Sequence, residues 1–143
     1  MLKNALLGAT AALALLPAAP GHAQTQPHVF PLTAASGNVA ATPAVATLPG
    51  APGLTTFISG FEITASGAAA ASCVNATVTG LVSGSLAYVF CAPAGVTAPA
   101  PALVVNFNPP IPAASVNTAI AVTLPSLGGG NANAAVATHG FQE

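Results

Sequence analysis

The side chains that carry charge at neutral pH or ionise near it are so few in this sequence that each can be named. They are His22, His28 and His139, Glu62 and Glu143, Cys73 and Cys91, and one cation, Lys3. A Ser-His-acid relay would have to take its acid from Glu62 or Glu143, and the Gly-x-Ser-x-Gly elbow is missing. A glycosidase needs two fixed carboxylates. Glu143 is the last residue and is expected to fray. Glu62 with His139 is the one conceivable metal pair, and no His-x-His or Cys-x-x-Cys spacing supports it. A reactive thiol would need a Cys-x-x-Cys pair or a nearby cation to lower its pKa, and neither is there. Gly128-Gly129-Gly130 lacks the Lys and the following helix pattern of a phosphate loop. The expectation is a non-enzymatic protein with no catalytic residue, no metal site and no cofactor.

The scarcity of charge excludes partners as well. Charged residues make up 2% of the chain, against about 25% in a typical soluble domain. There is no Asp, Arg or Trp. Nucleic-acid binding needs several Lys or Arg to displace counterions from phosphates, and a polybasic membrane site needs the same residues. Mean hydropathy is high at +0.76. Beyond residue 16, however, no stretch nears the ~20 uninterrupted apolar residues of a membrane span, so none is expected.

The chain divides into three. Met1-Leu2-Lys3, an apolar run from Ala5 to Leu16, and Gly21-His22-Ala23 before Gln24 have the three parts of a secretory signal peptide. Residues 1–23 are therefore expected to be removed on export from a bacterium, leaving a secreted, periplasmic or cell-surface product without Lys or Arg. Residues 24–53 carry Pro27, Pro31, Pro43, Pro49 and Pro52 among Ala, Thr and Gly, with few large apolar residues. This composition reads as a flexible linker, in which only His28-Val29-Phe30 could pair as a strand.

Residues 54–143 read as the folded domain. Phe57, Phe61 and Ile63 bracket a strand in which Gly60 marks a bulge or a close backbone approach. Val74-Ala76-Val78, Leu86-Tyr88-Phe90, Leu103-Val105-Phe107 and Ile120-Val122-Leu124 alternate with their neighbours at period two, and Ala135 to Phe141 completes the set. Ser83-Gly84, Pro93 to Pro101, Pro109-Pro110-Ile111-Pro112 and the triple glycine separate them. Six or more strands at this spacing predict an all-β, antiparallel sandwich of immunoglobulin-like or jelly-roll type. A helix over Ala68 to Ala71 is the weaker reading, since that run is short and flanked by Gly67.

Cys73 and Cys91 flank the expected turn near Val82 to Gly84. If Val74 and Leu86 point inward, parity puts both cysteines on the opposite face of their strands. A two-residue Ser83-Gly84 turn misses perfect register by about three residues, so a bulge or a different turn is required. In an oxidising compartment such a pair is expected to bond.

Soluble sheets usually protect their edges with Lys, Pro or bulges. With no Lys after the leader and almost no net charge to keep copies apart, the domain is expected to self-associate, as a trimer or an array. The rival reading is binding of a neutral glycan, for which the chain offers Tyr88, expected inward, and asparagines such as Asn106, Asn108, Asn131 and Asn133.

Pro110-Ile111-Pro112-Ala113-Ala114-Ser115-Val116-Asn117-Thr118-Ala119-Ile120, Leu124-Pro125, Gly130 to Val136 and His139-Gly140-Phe141 together resemble small uncharacterised β-sandwich proteins of bacterial and phage genomes. The resemblance spans about Thr55 to Phe141. It implies a jelly-roll-like module of virion or cell-surface type, and it brings no catalytic residues. Chaperone-assembled pilins are similar in size, export and their single disulfide. They usually carry the bond nearer the mature N-terminus and a penultimate Tyr, where this chain has Gln142.

Overall fold

A computed structural model describes residues 29–143; the expected signal peptide lies outside them. Eight strands follow in order: β1 (Phe30–Ala35), β2 (Ala44–Leu48), β3 (Thr56–Ala65), β4 (Ser72–Leu81), β5 (Gly84–Ala92), β6 (Leu103–Pro112), β7 (Ile120–Leu124) and β8 (Ala134–Gln142). They form two antiparallel four-stranded sheets, β1-β8-β3-β6 and β2-β7-β4-β5. The first strand pairs with the last, the second with the seventh, the third with the sixth, and the fourth with the fifth. This nested pairing is a long hairpin rolled into a sandwich, the jelly-roll arrangement, and it separates the fold from the immunoglobulin-like alternative. Among the described residues no helix forms, so Ala68 to Ala71 is loop.

The flexible-linker reading of residues 24–53 is corrected for its described part, residues 29–53, where β1 and β2 lie. The inward residues of β2 are Ala44, Ala46 and Leu48, all essentially buried. Small side chains let the two sheets approach closely here, which a search for large apolar residues passes over. The prolines act as brackets: Pro43 and Pro49 flank β2, and Pro31 sits in edge strand β1, where a missing N–H is tolerated.

Alternation puts one side of each sheet inside. Ile58, Phe61 and Ile63 meet Val78, Ile120, Val122 and Leu124 in a core with no exposure. Polar side chains close both ends. The Thr56 hydroxyl and the Gln142 amide both donate to the Pro49 carbonyl, at 2.9 and 2.7 Å. At the other end the buried Asn131 amide donates to the carbonyls of Ser66 and Asn133, at 2.9 and 3.1 Å.

Gly60 follows the bulge expected of it. Pairing with β8 shifts between Ile58 and Gly60, leaving Ser59 as the extra residue. A Cβ on Gly60 would lie 2.6 Å from the Val105 carbonyl oxygen and 2.8 Å from His139 Nε2. Because the carbonyl belongs to the β6 backbone, it cannot swing aside. Gly60→Ala is expected to lower stability by about 2 kcal/mol through overpacking, read from urea melts. A neutral substitution would show that β6 is not held against β3.

Candidate functional site

The residues with chemistry to offer do not converge. Glu62 and His139 come nearest: both lie on the outer face of the β1-β8-β3-β6 sheet. Glu62 pairs with Ala137 and Gly60 with His139, so the two side chains are diagonal neighbours on adjacent strands. With Thr33 and Ala137 they line a shallow, open depression. Glu62 is exposed and His139 half-buried. Glu143 is at the end of the same sheet. Its backbone exchanges hydrogen bonds with Thr55 in both directions, at 2.9 and 3.2 Å, so the chain end is held where fraying was expected. His28 lies outside the described residues. Among the described residues, no three His, Cys, Asp or Glu side chains group as a metal site would require. No helix of these residues is long and apolar enough to cross a membrane.

The cysteines are joined. Cys73 and Cys91 are directly opposed on β4 and β5 and form a disulfide, with Cα atoms 4.0 Å apart. The register problem is solved twice over. The turn is Val82-Ser83, closed by the Leu81–Gly84 pair, and a one-residue shift between Val78 and Leu81 restores the pairing. Gly80 occupies that bulge with φ +85°, and a side chain there would run into the Ala119 carbonyl. Both sulfurs face outward, while Val74 and Leu86 pack on the core as parity requires.

Of the asparagines, Asn106 and Asn108 are exposed on β6, and Asn133 accepts a 3.0 Å bond from Asn38. Asn131 is buried in its structural bonds. Asn38, Thr64, Ser66, Thr97 and Asn133 rim a second shallow depression with neutral hydrogen-bonding groups. Tyr88 points inward, edge-on to Phe61 with ring centres 5.3 Å apart.

Burial is uneven across the sandwich, and sequence reading gave no sign of it. The inward residues of β2, β7 and the middle of β3 are sealed. On the side where β5 and β6 form the sheet edges, Leu86, Tyr88, Leu103, Val105 and Phe107 are only partly covered. Beside this seam runs β5, nine residues with no charged residue and no Pro. Compared with protein-family models, with curated proteins and with solved structures, the chain matches none.

Proposed function

We propose that this chain is an exported, non-enzymatic structural or surface-interaction module that associates with copies of itself. The observation that carries the reading is the scarcity of ionisable groups on an otherwise neutral sandwich surface, where among the described residues only Glu62 and His139 lie side by side. Glu62 and His139 share an open, shallow depression, which is not the dry cavity that a proton-transfer pair needs. The disulfide fits an oxidising compartment outside the cytoplasm. A jelly roll with a bare edge and little charge has the means to assemble. The resemblance to exported and phage-associated β-sandwich proteins points the same way, toward a cell-surface or particle component.

Size-exclusion chromatography with light scattering tests this reading. The expected result at micromolar concentration is a mass above that of one chain, with or without reductant. A single-chain mass would overturn self-association. Turnover of a substrate, abolished by Glu62→Gln or His139→Gln, would overturn the non-enzymatic reading. The second reading, a carbohydrate-binding or pilin-like adhesin role, draws on the neutral depression around Asn38, Thr64 and Asn133, which suits a hydroxyl-rich ligand. Retention on a glycan array, lost in Asn133→Ala, would favour it.

A further inference from the structure

We infer that strand β5 is the self-association surface, and that two copies pair antiparallel along it about a two-fold axis at Tyr88. The inference rests on the self-association reading and names the surface that performs it.

The four edge strands differ in protection. β1 contains Pro31, β2 has five residues between Pro43 and Pro49, and β6 carries Pro109, Pro110 and Pro112. Only β5 combines length with no Pro and no charge, so it lacks the devices that keep a sheet edge from extending.

The backbone groups on that edge can be assigned. In antiparallel pairs, closely spaced Cα atoms mark residues not hydrogen-bonded to each other. Cys73 and Cys91, 4.0 Å apart, are such a pair. By alternation, Ser85, Ala87 and Val89 belong to the same class, so all four residues turn N–H and C=O away from β4. The hairpin agrees, since its two-residue turn closes on Leu81 and Gly84, which puts Gly84 and the other even-numbered residues in the class bonded to β4. Ser85, Ala87, Val89 and Cys91 also have exposed side chains, Val89 being 67% exposed.

A second β5, run antiparallel, satisfies these groups in one register. Setting Ala87 opposite Val89 of the copy also sets Ser85 opposite its Cys91, and symmetry supplies the reciprocal pairs. Every free edge group is then used, and Tyr88 meets its own copy at the axis. The contact is isologous and closes as a dimer with one continuous sheet. No Asp, Glu, Lys, Arg or His on β5 brings a charge that opposes the approach. The partly covered Leu86 and Tyr88 of the open seam are shielded by the partner strand.

The test compares four chains at about 10 µM by light scattering behind size exclusion, each checked by circular dichroism. The unaltered chain is expected at twice the chain mass. Val89→Lys places like charges close to the axis and is expected to weaken association roughly a hundredfold or more, giving single chains. Val89→Pro deletes one outward N–H without removing a bond to β4, and is expected to do the same. Val104→Lys, on the exposed face of β6, is expected to leave the doubled mass intact. If the unaltered chain is a single chain, both this inference and the self-association reading fall. If it assembles but both Val89 variants keep its mass, the assignment to β5 falls and self-association stands.

Discussion

Phe61→Ala is expected to cost about 4 kcal/mol, the largest single-site loss in the domain. Phe61 has no exposure and is the largest side chain in the sealed core. Its ring meets Tyr88 of the facing sheet edge-on at 5.3 Å and Phe107 of β6 at 6.2 Å. Truncating a buried Phe removes its transfer free energy and leaves a cavity, typically 3–5 kcal/mol together, and aromatic pairs add a little beyond area. The surroundings cannot collapse to fill the gap. Ala76, paired with Tyr88 across β4 and β5, and Val78 beyond it are buried side chains that are short or branched at Cβ. The loss is a large share of the 5–15 kcal/mol typical of whole domains. The urea midpoint is expected to fall with m unchanged, and the thermal midpoint by roughly 20 °C. Val104→Ala, at an exposed site on β6, should move stability by no more than about 0.5 kcal/mol. A Phe61→Ala loss below about 1 kcal/mol would mean the two sheets do not pack through this ring.

Strands β3 to β7 could be read in the sequence because each sets apolar residues at every second position. Phe61 and Ile63, Leu86 to Phe90, and Ile120 to Leu124 all point the way their parity demands. β1 and β2 could not be read the same way. Their inward side chains are Leu32 and Ala34, and Ala44, Ala46 and Leu48, which resemble the small-residue texture of a linker. Burial of an alanine is decided by how closely another sheet approaches, and that depends on partners far along the chain. β1 pairs with the last strand and β2 with the seventh.

The same non-locality governed the candidate surfaces. Glu62 and His139 were each visible, but their adjacency depends on the β3–β8 register, which joins segments far apart in sequence. The disulfide was legible because the hairpin is local. Its two outward cysteines follow from parity, and only the Gly80 bulge and the Val82-Ser83 turn had to be supplied by the structure. The exposed β5 edge had no local signature. A strand becomes an edge through the order of its neighbours, and strands that all lack Lys do not say which edge went unprotected. The structure narrows it, since proline marks β1, β2 and β6.

The cysteine pair sets up a prediction whose cause can be separated from packing. Replacing both residues, Cys73→Ser with Cys91→Ser, is expected to lower stability by about 3 kcal/mol and the thermal midpoint by roughly 10–15 °C. Both sulfurs lie on the exposed face of their strands, so their removal opens no cavity. The native pairing of β4 and β5 is set by backbone bonds and by the inward Val74, Leu86 and Phe90, none of which changes. The stabilisation therefore lies in the unfolded chain, where the crosslink closes a loop with a sequence separation of 18 and removes its freedom. Two consequences distinguish this from a packing effect. The unaltered chain, treated with reductant, should melt with the double variant, because no buried contact differs between them. Circular dichroism of the two folded proteins should also coincide. A double variant within about 1 kcal/mol of the crosslinked chain would mean that β4 and β5 stay paired after unfolding. The hairpin, with its two-residue turn, would then be the element that forms first and separates last.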